Sequence, residues 1–235
     1  MTQIVLVNKS VKLTADNMDV LTIAMQTYVN AVTKAWSLEA ATVKYSTTKI
    51  SGAWNFYLVD TFPADAPKNS LGYHNYSAAE GVFGYISAAL TMPTPVRTPF
   101  GKILYGRKAT KAHAATITRL EHGSLSEVIS HELAEALIDP YINNYKLNDL
   151  DGSKWLIEVG DQAHAYNWMT TVTRGIIKRI SQDLILADFT LPSFYTNKLL
   201  APYSYTNQVT SSFHLDKNCY AYIIDKSGKP KLVSA

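Results

Sequence analysis

Ser130-His131-Glu132-Leu133-Ala134-Glu135-Ala136-Leu137-Ile138-Asp139-Pro140 sets a histidine and a carboxylate four residues apart, with a second glutamate directly after the histidine. Positions four apart lie on nearly the same face of a helix, so His131 and Glu135 can grip one ion. In the HExxH form of this pattern two histidines bind zinc and the intervening glutamate is the general base. Here Glu135 takes the place of the second histidine, and Glu132 is the candidate base. A carboxylate is a proper zinc ligand, and its charge and hardness also open the site to Mn2+ or Fe2+. Read without an ion, the same two residues are an ordinary polar pair on a surface helix.

The ends of this helix are written in the chain. Ser124-Leu125-Ser126-Glu127 fits a capping box, in which the serine side chain accepts from an early backbone N–H and the glutamate reaches back to cap the serine. Asp139-Pro140 stops the helix, because proline disfavours helical backbone in the residue before it. Between these ends Leu125, Val128, Ile129, Leu133, Ala136 and Leu137 form one apolar arc. Glu132 falls inside that arc, between the directions of Val128 and Leu125. A carboxylate there is costly to bury without a cation or a donor, which favours a site over a surface pair.

A third ligand is expected downstream, in Trp155-Leu156-Ile157-Glu158-Val159-Gly160-Asp161. If Leu156 to Val159 is a strand, Glu158 points to one face and Asp161 follows a glycine that can turn the backbone. One acid would bind the ion and the other would orient His131. The sequence leaves open which does which, and also the reading in which Asp161 caps the next segment and Glu158 is solvated.

Further out, Gln3 to Val7 reads as a first strand and Asp16 to Trp36 as an amphipathic helix with Val20, Leu21, Ile23, Ala24, Tyr28 and Val32 inward. Thr42 to Tyr45, Asn55 to Val59, Gly81 to Ala88 and Asp183 to Phe189 read as strands, the last ended by Leu191-Pro192. Phe62 to Pro67 is a loop. Met92 to Pro99, with three prolines, is an excursion before Lys102 to Tyr105, and Thr116 to Leu120 leads toward the motif helix. The stretch from Ala201 to Ala235 is rich in Tyr, Ser and Asn, with one apolar run at Tyr220 to Ile224.

Four ordered blocks then carry a family resemblance: Leu71-Gly72-Tyr73-His74-Asn75; Ser130 to Glu135 with Asp139-Pro140; Glu158-Val159-Gly160-Asp161; and Ala187-Asp188-Phe189-Thr190-Leu191-Pro192-Ser193-Phe194-Tyr195. Together they resemble zincin-type metallopeptidases with an HExxE motif from bacteria and tailed phages, over roughly residues 54 to 195. The family pattern has aspartate where this chain has Asn75, and cysteine where it has Gly160. The resemblance implies an α+β, zincin-like fold with a mixed β-sheet, a backing helix and a metal-bearing active-site helix. Residues 1–200 would form that domain, and 201–235 a C-terminal extension packed on it or on a neighbouring subunit. In such folds an edge strand above the catalytic helix pairs with extended substrate, and Gly81 to Ala88 is the candidate. His74, just before it, would donate to the oxyanion or approach the metal, unless it is a hydrogen-bonded turn histidine. The remaining histidines, His113, His122, His164 and His214, lack ligand spacing and read as surface or structural.

The implied activity is peptide hydrolysis by a metal-activated water in a virion-associated protein. The other implied role is a non-catalytic capsid or tail component keeping the same fold, with other virion proteins as partners. Composition agrees with a globular domain: 235 residues, 47% hydrophobic and 17% charged. A net charge of +3 does not by itself imply nucleic-acid binding. Lys102, Arg107, Lys108 and Lys111 cluster around Tyr105, more in the manner of a solvated loop than of a phosphate site. A single cysteine, Cys219, excludes an intrachain disulfide or a cysteine metal cluster. No run approaches the roughly 20 apolar residues of a membrane span. Ile4 to Val7 is too short and lacks the basic start of a signal sequence, so the expected route is synthesis in a host cytoplasm and, if exported, departure in a virion.

Overall fold

Ile4, Val5, Leu6 and Val7 are all fully buried, which a strand achieves only when both faces of its sheet are covered. They lie in β1 (Thr2–Asn8) of a five-stranded sheet with β2 (Ala41–Ser46), β3 (Trp54–Val59), β4 (Gly72–Ser77) and β5 (Gly81–Ser87). The order is β2-β1-β3-β5-β4. The first four are parallel to their neighbours, and β4 runs antiparallel to β5. The computed structural model describes residues 1–68, 70–91, 123–174 and 180–235. The segments expected at Met92 to Pro99, Lys102 to Tyr105 and Thr116 to Leu120, the basic cluster, His113 and His122 lie outside them.

Helix α1 (Ala15–Ala35) makes the crossover from β1 to β2, started by a Thr14/Asn17 capping box. Met18, Leu21, Ala24, Met25, Tyr28 and Val32 are buried against the sheet and the second helix. Ile23, expected inward, is 44% exposed, because it lies about 200° around the helix from Leu21. The second helix, α2 (Leu125–Ile138), carries the motif and ends at Asp139 as expected. It is buried on nearly every face rather than on one arc. It packs against α1, β4 and β5 on one side and on the other against a hairpin of β8 (Asn167–Arg174) and β9 (Ile180–Ala187). Its polar residues on the hairpin side are therefore bonded: Ser126 Oγ donates to Ile185 O at 2.7 Å, and Ser130 Oγ accepts from Ala187 N at 2.8 Å.

The capping box is only half formed. Ser124 accepts from Glu127 N, but the Glu127 carboxylate takes the backbone N–H of Gly123 at 2.8 Å, one residue beyond the serine. A second, antiparallel sheet is formed by β6 (Tyr145–Leu147), β7 (Lys154–Leu156), β10 (Tyr220–Ile224) and β11 (Pro230–Ser234), in the order β11-β10-β7-β6. Residues beyond Ala201 are thus tied to the rest of the chain: Ile223 pairs with Trp155, and Val209, Cys219 and Ala221 are buried. Among the described residues no helix is long and apolar enough to cross a membrane. Among the described residues the architecture is α+β with one mixed sheet and two α-helices.

Three strand expectations change. Gly81 to Ser87 is not the edge strand: it sits between β3 and β4, and Gly84 is needed there because a Cβ would lie 2.6 Å from the Phe56 ring. The edge on this side is β4, where the sequence reading named no strand because its Gly-Tyr-His-Asn-Tyr-Ser run lacks apolar alternation. The strand expected at Leu156 to Val159 ends at Leu156, where its three-residue partner β6 runs out. Asp188 and Phe189 lie beyond β9, and Pro192 opens a 3₁₀ turn at Pro192–Tyr195.

Candidate metal centre

Alternation along β4 points Gly72 and His74 at α2. Gly72 has no side chain to hold the helix off; a Cβ there would meet Val128 Cγ1 at 2.7 Å and Glu132 Oε1 at 3.0 Å. His74, buried beside it, brings Nδ1 to 3.5 Å from Glu132 Oε2 and 3.7 Å from Glu135 Oε2. It lines a separate cavity with Tyr73 and Asn75 rather than the one described below. Its place is behind the two glutamates, and it is not a turn histidine.

On α2 itself, His131 Nε2 lies 3.2 Å from Glu135 Oε1. The chain after β7 then passes under the His131 ring. Asp161 Oδ1 is also 3.2 Å from His131 Nε2, and the Asp161 backbone N–H donates to Glu135 Oε1. Gly160 permits this approach: a Cβ would stand 2.6 Å from His131 Nδ1. Glycine where the resembling pattern carries cysteine therefore has a local steric reason in this chain.

The two downstream acids separate in space. Asp161 converges with His131 and Glu135, whereas Glu158 converges with His74 and Glu135; within each trio the ligand atoms lie within 4.8 Å of one another. The last motif block holds this segment from outside. Thr190 N donates to Val159 O at 2.9 Å, and Tyr195 OH hydrogen-bonds Gln162. Asp188 is itself buried and ties the block to the tail by accepting from Phe189 N, Thr206 N and Thr206 Oγ1.

Burial and crowding of like charge govern the electrostatics. Burial pushes the Glu158 carboxyl well above the usual range, and the charges of Glu135 and Asp161 push the same way. Asp161 is raised by burial and by Glu135, against partial opposition from His131 and a hydrogen bond from Tyr220. Burial by itself lowers the His131 pKa, but Glu135 and Asp161 outweigh it and hold the imidazolium well above its ordinary range. His74 is raised in the same way, burial being overcome by Glu132 and Glu135. Among the described residues Glu132, Glu135 and Asp161 pair with the two histidines. Asp139, also buried, is accounted for separately, since it accepts from Asn143 N and Asn144 N.

A cavity of about 350 Å³ opens beside this cluster, lined by Ser70 to Gly72, Val128, His131, Glu132, His164 and Tyr220. Two of these were not legible as site residues. His164, read as surface or structural, is exposed but stands edge-on to the His131 ring at 5.7 Å. Tyr220 opens β10 and donates to Asp161. Neither has a spacing signal, because each arrives on a different element. His214 is exposed and pairs with Asp216, as a surface histidine does. Comparison of the chain with models of known families, with curated proteins and with solved structures finds no match in any of the three.

Proposed function

We propose that this chain is a zincin-like, metal-dependent peptidase of the HExxE type, with His131, Glu135 and Asp161 as ligands and Glu132 as base. One observation carries the reading: His131 Nε2 lies 3.2 Å from both Glu135 Oε1 and Asp161 Oδ1. Ligand atoms on a tetrahedral ion with bonds of about 2.0–2.1 Å are about 3.3–3.4 Å apart, close to both separations from His131, and the third pair lies within 4.8 Å; the two carboxylates also suit Mn2+ or Fe2+. When bound, the ion supplies Lewis acidity to the scissile carbonyl and lowers the pKa of a water.

The chain's own groups do the rest. Glu132 lines the cavity next to His131 and accepts the proton of the attacking water. Tyr220 holds Asp161 in place by its hydrogen bond. The outer edge of β4 has no strand partner among the described residues, and Ser70 to Gly72 lead from it into the cavity, so an extended peptide or protein substrate adds to β4 rather than to β5.

The resemblance to phage proteins supports a virion location, and one observation favours the second reading, a structural virion protein. Tyr145, Leu147, Tyr222 and Leu232, on three strands of the second sheet, are each at least 40% exposed, as a surface awaiting another virion protein would be.

One experiment tests both readings. The Zn2+-loaded chain should cleave an unstructured peptide library, and Glu132→Gln should keep ion and fold while losing about 10²–10⁴-fold in rate. A Glu132→Gln variant as active as the parent refutes the base, and unchanged metal content in His131→Ala refutes the ligand set. Stoichiometric metal without turnover in the parent selects the structural reading.

A further inference from the structure

We propose that the centre takes two divalent cations, the second held by His74, Glu135 and Glu158, with the Glu135 carboxylate bridging the pair. This rests on the metal-dependent reading above and extends it. The two oxygens of Glu135 already face different histidines: Oε1 is 3.2 Å from His131 Nε2, and Oε2 is 3.7 Å from His74 Nδ1. A carboxylate so placed between two imidazoles can give one oxygen to each of two ions.

The second trio stands on its own observations. Its ligand atoms lie within 4.8 Å of one another, and all three residues are buried. The separations of His74 Nδ1 from Glu132 and Glu135, 3.5 and 3.7 Å, exceed the roughly 2.7–3.2 Å of a good hydrogen bond. The side chain of His74 is 4% exposed; its Nε2 makes no hydrogen bond of good geometry, although the Asp139 backbone helps to favour the charged ring. Nδ1 of this buried imidazole is thus faced by two carboxylates without being closed off by a short hydrogen bond to either. One imidazole and two carboxylates make a donor set for Zn2+, Mn2+ or Fe2+.

The test is a count of ions on the full chain. After chelator stripping and dialysis against Mn2+, elemental analysis should find two ions per chain, and the Mn2+ electron paramagnetic resonance spectrum should show the coupling of ions about 3.5–4 Å apart. Glu158→Gln, which keeps the side chain's shape, and His74→Ala should each reduce this to one ion with an uncoupled spectrum. A parent that binds a single uncoupled ion, or two ions undiminished in both variants, overturns the second position and leaves the single-ion reading standing. A parent that binds none overturns both.

Discussion

Gly160→Ala isolates the contact between the acidic turn and the metal-bearing helix. Gly160 has φ −76° and ψ −42°, backbone that any residue adopts, so alanine there meets no backbone strain. By restricting the unfolded chain it would be expected to stabilise by about 0.4–1 kcal/mol. The opposing effect is steric. The new Cβ would sit 2.6, 2.7 and 2.9 Å from Nδ1, Cε1 and Cγ of His131, about 1 Å short of an unstrained contact of roughly 3.5 Å. Overpacking of this kind costs about 1–3 kcal/mol, so the net change is a loss of about 0–2.6 kcal/mol. The effect on the ion is of similar size. Metal sites tolerate about 0.2 Å in bond length, and a ring displaced by close to 1 Å can no longer share an ion with Glu135 and Asp161. The expected loss is about 10–100-fold in Zn2+ affinity, or about 1.4–2.7 kcal/mol. A competition titration against a chelating dye reads the affinity, and melting curves with and without Zn2+ read the stability. A variant that binds Zn2+ as tightly as the parent and melts higher would refute the inferred approach of residue 160 to the ring.

Two further outcomes follow from the same geometry. Because Glu158, Asp161, His131 and His74 all have raised pKa values, the metal-free folded state binds more protons than the unfolded chain, and its stability should fall as pH rises from about 4 through the histidine range. The melting shift produced by Zn2+, which displaces those protons, should therefore grow with pH over the same window; a shift that shrinks as pH rises would contradict it. Ser130→Ala removes the acceptor of the buried Ala187 N–H and should cost about 1–3 kcal/mol in urea unfolding, and an unchanged midpoint would mean that β9 is not held through this bond.

Local pattern was enough to place the motif helix, its stop at Asp139-Pro140, the His131/Glu135 pair and the buried character of Glu132, because each depends only on residues within a few turns of one another. The same holds for β1, whose uninterrupted apolar run needs cover on both faces whatever covers it. Tertiary structure decided which acid serves which histidine. Glu158 and Asp161 are equivalent to any sequence rule; they part only because Gly160 lets the chain slide beneath the His131 ring while β4 delivers His74 from the other side. It also decided that β4 rather than β5 is the edge, since strand order comes from pairings across more than 20 residues, as between β3 and β5, and not from the strand's own composition. Tyr220 reaches the cavity on an element with no helical or strand period in common with the motif, so its place there exists only once β10 has paired with β7, and His164 arrives on the turn that carries Asp161.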